Sequence, residues 1–249
     1  MIFAFVCEWI DSSLGMGYGT ILSPLLIILG LPILTVIPAV LISQAIGGIL
    51  AGYYHHRFEN TLLKRDIDGM SDDLKAVLWI SVLGVSATVF ASFVSTSYLS
   101  TRTLGIYTGI LVLVMGIFNL VGFTFQYSHQ RMILLGLVSS FLKGMSGTGF
   151  GALLTGGQLS LDRKPSHAVG VTTFTKIPIC IGGFLGYWVF NGIERWDVIS
   201  ALIFGALLAS RLGARTTKHL DELRYLKYVI AVFLIALGTL TILKIKGVL

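Results

Sequence analysis

The sequence predicts an all-α polytopic membrane protein made of two inverted repeats, each a broken, re-entrant helical hairpin plus three transmembrane helices. Three observations predict this. First, 55% of the 249 residues are hydrophobic and 12% are charged, whereas a water-soluble domain carries roughly 25% charged residues. Second, apolar runs near the roughly 20 residues that span a bilayer recur along the whole chain. Third, a polar, glycine-rich break occurs twice, in FVCEWIDSSLGMGYGTILSP from Phe5 and in MILLGLVSSFLKGMSGTGFGALLTGGQ from Met132. Gly15, Gly17 and Gly19 stand 132 residues before Gly147, Gly149 and Gly151, and Tyr18 matches Phe150. Such a break, recurring once per half of an apolar chain, points to a transporter binding site.

The first repeat is expected over residues 1–125, with a hairpin over 2–31 and spans over 32–54, 76–97 and 103–125. Within the hairpin, Glu8, Asp11, Ser12 and Ser13 interrupt apolar sequence before the break, and a second apolar arm starts near Thr20. The next span carries Pro38, Ser43, Gln44 and the Gly47-Gly48 pair, and the longest polar loop follows, from Arg57 to Lys75. The second repeat is expected over residues 131–249, with a hairpin over 131–161 and spans over 166–190, 198–212 and 228–243. Its first span holds Thr172, Thr173, Thr175, Lys176 and Gly182-Gly183. Met1 leads directly into the first apolar arm without a basic stretch, so no cleavable leader is expected. Cys7 and Cys180 lie inside apolar segments and do not suggest a disulfide framework.

Charge decides how the broken segments cross. Each covers about 30 residues, or roughly 45 Å as one straight helix, too long for a bilayer core of about 30 Å unless strongly tilted. If each crosses once, Arg57, Lys64, Arg65, Lys75, Arg131, Arg195, Lys244 and Lys246 face Arg102, Arg163, Lys164, Arg211, Arg215, Lys218, Arg224 and Lys227, with no orientation signal. If each is a hairpin, only Arg102, Arg195, Lys244 and Lys246 remain apart from the other twelve. That bias puts the twelve in the cytoplasm and both termini outside it. Three crossings per half then invert the second half, and the two glycine tips approach the midplane from opposite faces. The net charge of +6 is explained by these loops and implies no nucleic acid.

Glycine breaks at membrane depth expose backbone N–H groups, which is tolerable where they line a cavity or meet a ligand. The helices that restart near Thr20 and Ala152 aim positive N-terminal ends at the midplane, and two such ends make an anion site. Gly17, Gly19, Gly147, Gly149 and Gly151 are therefore candidate binding residues; in the competing reading they only let helices pack closely. Lys143 and Lys176 lie away from segment ends, where a lysine costs about 2.5–3.5 kcal/mol. They clamp an anionic substrate, or pair structurally with Glu8 and Asp11, and the two roles can coexist. Asp11 occupies the repeat position of Lys143. Glu8 is also a candidate proton-coupling group, because apolar surroundings favour the protonated carboxyl. Ser43 and Gln44 roughly match Thr175 and Lys176 if one gap is allowed. With Thr20, Thr148, Thr155 and Gln158 they offer neutral donors suited to oxyanions, or else hydrogen bonds between helices. His55, His56, His129, His167 and His219 fall near segment ends without metal-ligand spacing, so no metal site is expected.

These residues also carry a family resemblance. KGMSGTGFGALLTGGQ (Lys143–Gln158), AVGVTTFTK (Ala168–Lys176), GMGYGTILSPLLIILGLP and VIPAVLISQAIGG resemble the TauE/SafE family over nearly the whole chain. Many members carry adjacent glycines where this chain has GMGYG, which leaves Met16 and Tyr18 beside the break. The resemblance implies a carrier in a prokaryotic cytoplasmic membrane, without a cofactor, that moves sulfite, organosulfonates or related sulfur anions. It leaves the particular anion and the direction open.

Three rivals belong to other classes. A passive anion channel would use the same residues. An intramembrane serine protease fits the Gly144-Met145-Ser146-Gly147 pattern with His167 as base, but the first break has Leu14 at the serine position, and a nucleophile needs its base in reach. A cation channel is suggested by Gly17-Tyr18-Gly19, yet filters present carbonyls to the ion, whereas a helix N-terminus and a lysine repel it.

Overall fold

The computed structural model describes residues 1–58, 60, 65–66, 69–121, 129–160, 164–217 and 226–248. Among these residues the chain forms ten helices and one two-residue antiparallel pair, Arg65–Asp66 with Gly69–Met70. The helices of the first half are α1 (Ile2–Leu14), α2 (Tyr18–Ile28), α3 (Ile33–Arg57), α4 (Asp72–Ser97) and α5 (Thr101–Val121). In the second half they are α6 (His129–Ser146), α7 (Phe150–Ser160), α8 (Pro165–Asn191), α9 (Trp196–Thr216) and α10 (Leu226–Lys246). Of the loop cations counted for orientation, Lys64, Arg163, Lys218 and Arg224 lie outside the described residues, as do His219, the side chains of Arg65, His129 and Lys227, and residues 122–125 and 161 of the expected segments.

Six helices, α3, α4, α5, α8, α9 and α10, are long and apolar enough to cross a membrane. They lie on the six expected spans, with described ends displaced by no more than four residues. In contrast, α1, α2 and α7 have 13, 11 and 11 residues, so they are about 20 Å long or less and too short to span alone. Glycine is what ends α1 and α6. Gly15 and Gly147 both adopt left-handed backbone, at φ 72° and 71°, a conformation that costs other residues a Cβ clash. Each donates its N–H back to the carbonyl four residues earlier, of Asp11 and of Lys143, at 2.7 Å. The arms α6 and α7 then fold back on one another, with Gly157 against Leu135.

Packing follows one scheme in both halves. Helix α1 lies on α9 as α6 lies on α4, α3 lies on α9 as α8 lies on α4, and α3 pairs with α8 as α5 pairs with α10. At the last contact Gly109 and Gly238 meet backbone to backbone: a Cβ on Gly238 would lie 2.7 Å from the Gly109 carbonyl. Without a hydrophobic drive between helices in lipid, such close approach is what holds them. The centre belongs to α3 and α8, whose apolar windows are 67% and 72% buried, against 28% and 33% for α4 and α10. Leu78, Trp79, Val82 and Phe90 of α4, and Val229, Val232 and Phe233 of α10, face outward as an apolar belt, which suits lipid and not water.

Candidate functional site

The two breaks touch through their backbones. At the start of α2, a Cβ on Gly19 would strike the Gly147 carbonyl; at the start of α7, a Cβ on Gly151 would strike the Gly15 carbonyl and lie 3.0 Å from the Met16 backbone. Gly17 (φ 135°) and Gly149 (φ 87°) precede these helix starts. Each helix thus begins on the other half's turn, which brings polar residues from α1, α3, α6 and α8 to one buried point.

A connected polar chain runs through that point. Lys176 forms an ion pair with Asp11. The Asp11 Oδ2 also accepts the Gln44 amide N–H at 3.1 Å, and its Oδ1 accepts the Tyr18 backbone N–H at 3.3 Å. The Gln44 Oε1 accepts Lys143, which also donates to the Gly147 carbonyl at 3.2 Å. Lys143 and Lys176 are each 2% exposed. The residues are related in pairs, for Asp11 and Gln44 stand 132 positions before Lys143 and Lys176. The expected gap in that alignment is unnecessary, because the offset equals that of the breaks. The contact Asp11–Lys176 therefore has its counterpart in Lys143–Gln44, an ion pair in one place and an ammonium–amide contact in the other. Among the described residues Lys143 meets no carboxylate within ion-pair distance. Glu8 pairs with neither lysine: its Oε1 accepts the Ser12 hydroxyl at 2.6 Å, and its buried Oε2 has no hydrogen-bond partner among the described residues.

The neutral donors divide into four groups. Thr155 donates to the Gly15 carbonyl at 3.0 Å and its hydroxyl lies 2.9 Å from that of Thr172, so it ties the first break to α8, while Gln158 donates to Thr172 at 3.0 Å and holds α7 on α8. Thr148 bonds Ser146 at 2.8 Å within the second break. Ser43 accepts the Tyr18 hydroxyl at 2.7 Å and donates to the Ala39 carbonyl at 2.7 Å, while Thr175 donates to the Val171 carbonyl of its own helix at 2.8 Å. The fourth group is free among the described residues. Thr20 and Ser23, three residues apart near the start of α2 and hence on one face, bury hydroxyls with no partner among the described residues. A Cβ on Gly147 would lie 3.1 Å from the Ser23 Oγ. Sequence reasoning missed Ser23, Tyr18 and Thr172 as site residues. The offset could have found Ser23, which stands 132 positions before Thr155.

The two ends of the α3–α8 pair differ. At one end Pro32, Thr35, Pro38, Asn191, Glu194 and Arg195 are among the residues lining a cavity of about 190 Å³. Six residues, or about 9 Å along α3, separate Pro38 from Gln44. At the other end the His167 Nδ1 lies 2.9 Å from the Asp73 Oδ2, and Asn60 donates to the Ala214 carbonyl at 3.1 Å and contacts the buried His55 at 3.0 Å. Among the described residues no group of three His, Cys, Asp or Glu side chains could hold a metal ion. Cys7 and Cys180 are free and buried.

Six crossing helices around a buried, charged centre, built where two interrupted helices meet, define a multi-pass membrane transporter. The chain belongs to the family described as sulfite exporter TauE/SafE, whose model matches residues 1–241. It is similar to the probable membrane transporter protein YtnM of Bacillus subtilis (strain 168), at 25% identity over 86% of this chain and 73% of the relative. The probable membrane transporter protein YdhB of the same organism is 24% identical over 83% of this chain and 84% of the relative. No solved structure matches.

Proposed function

We propose that the chain is a secondary carrier of small sulfur-containing anions, sulfite or organosulfonates, working by alternating access. The observation that carries this reading is the Lys143 ammonium, which has no carboxylate partner among the described residues and lies by the Gly147 turn with the unpartnered Ser23 hydroxyl. An oxyanion supplies Lys143 with a direct anionic partner and accepts from both groups, and the N-terminal end of α2 adds a favourable dipole. Lys176 has a different task, since Asp11 already neutralises it. The cavity at one end of α3 and α8, with the His167–Asp73 and Asn60–Ala214 contacts at the other, suits a carrier with access on one side.

In this reading the halves, residues 1–125 and 131–249, are inverted repeats whose hairpins enter from opposite faces of a prokaryotic cytoplasmic membrane, with both termini outside the cytoplasm. The exchangeable packing scheme of α1–α5 and α6–α10 supports it, as does the charge count. Counterflow in proteoliposomes tests the function, comparing sulfite, sulfate, thiosulfate, methanesulfonate and a carboxylate control. Saturable exchange of sulfur anions is expected. A non-saturating leak of all anions would instead select a passive channel, which the same residues could line. The serine-protease reading is disfavoured because Ser146 bonds the Leu142 carbonyl and Thr148, each at 2.8 Å, and no hydrogen bond joins it to His167 among the described residues.

A further inference from the structure

Two acids reach the buried centre, and their surroundings differ. Asp11 is held by three donors, Lys176, Gln44 and the Tyr18 N–H. Glu8, 1% exposed, has a single partner, Ser12, and one oxygen with none among the described residues. Burying an ionised carboxylate oxygen without a donor is costly, so this oxygen is where a proton sits most cheaply. Space beside it is kept by Gly47: a Cβ there would lie 3.3 Å from Oε2 and 2.9 Å from the Ala206 methyl of α9. The charged groups facing Glu8 are Asp11 on its own helix, Lys176 from α8 and Lys143 from α6; the other titratable neighbours are Cys7, Tyr18 and Cys180.

We propose that Glu8 is the proton-carrying group of the transport cycle, so that one proton and one monovalent anion cross together in the same direction. The proposal rests on the anion-carrier reading and adds the coupling ion to it. With Glu8 and Asp11 both ionised, the two lysines are matched and the empty centre is neutral. A monoanion entering that centre would leave one unmatched negative charge, which a dry site penalises by several kcal/mol. A proton on Glu8 removes the excess, and the loaded centre is neutral again. The two neutral forms, empty with ionised Glu8 and loaded with protonated Glu8, are the ones able to reorient; the forms carrying only the anion or only the proton are held back. Position 140, the counterpart of Glu8, is a serine, so the site carries one such proton and the coupling is one to one.

The test uses the full chain in proteoliposomes, with methanesulfonate, a monoanion at every pH employed, and sulfite in parallel. For wild type, an outside pH lower by one unit should concentrate methanesulfonate up to about tenfold inside, independently of a clamped membrane potential. An internal pH dye should report one proton entering per anion. E8Q, which mimics the protonated acid, should exchange labelled anion at a rate that no longer falls as pH rises, yet concentrate nothing. E8D, which keeps the acid, should regain concentration. Exchange by wild type without pH-driven concentration would overturn the inference alone, as would concentration by E8Q to the wild-type level, or inserted E8Q that exchanges neither anion. Exchange of neither anion by wild type would overturn the carrier reading itself and this inference with it.

Discussion

Replacing Lys143 by methionine should weaken the apparent anion affinity roughly 10- to 100-fold while leaving the fold about as stable. The ammonium contributes two contacts, to the Gln44 Oε1 and the Gly147 carbonyl. Losing them leaves two acceptors under-satisfied, at about 1–3 kcal/mol each. Against that, the substitution removes a lysine that costs about 2.5–3.5 kcal/mol at membrane depth, and methionine fills the space of the stem. The two contributions nearly cancel. For the anion there is no compensation, because a hydrogen bond to a charged donor is worth about 1.5–3 kcal/mol, or roughly a 10- to 100-fold weaker apparent affinity. Lys176→Met supplies the contrast. It strands Asp11 at 1% exposure without a cation, and breaking a buried pair costs about 3–5 kcal/mol. Detergent-solubilised protein scored by size-exclusion thermal shift, followed by counterflow of the reconstituted fraction, separates the cases. Wild-type affinity in K143M, or loss of K143M protein matching that of K176M, would refute the assignment of different tasks to the two lysines.

Three further outcomes are expected. Ser23→Ala removes a hydroxyl that bonds nothing described, so melting should not fall, while apparent anion affinity drops several-fold, as for the loss of about 0.5–1.5 kcal/mol; unchanged affinity would place the anion elsewhere. Gly151→Ala drives a methyl onto the Gly15 carbonyl, a backbone atom that cannot rotate away, so thermal shift should report a loss of about 1–3 kcal/mol; a neutral effect would mean that the two breaks do not touch. Single cysteines at Arg57 and Arg215 should react with an impermeant maleimide from one side of the membrane, and cysteines at Ser100 and Glu194 from the other; labelling of positions 57 and 215 from opposite sides would refute the double hairpin.

What the sequence made legible, and what it did not, follows from the range of the interactions. Helix positions depend on local apolar length, which is why the six long apolar helices fall where apolar runs were read, within four residues at their described ends. The broken segments were readable because only glycine tolerates the left-handed turns at Gly15 and Gly147. Side-chain pairing was not readable, since Lys176 and Asp11 lie 165 residues apart, and nothing local chooses between a lysine that binds substrate and one that meets a carboxylate. The offset of 132 relates the two lysine contacts in retrospect. It maps the contact Asp11–Lys176 onto Lys143–Gln44, so one geometry is used twice with different chemistry. Where the first copy has an aspartate the second has a lysine, and where the second has a lysine the first has a glutamine. An aspartate–glutamine pair at both places would leave the centre negative, and a lysine–glutamine pair at both would leave it doubly positive. The mixture leaves one cation without a carboxylate partner among the described residues, beside one acid, Glu8, that has no counterpart in the second half. On the proposed reading, divergence between the copies, more than their similarity, is therefore what suits the crossing of the two breaks to an anion.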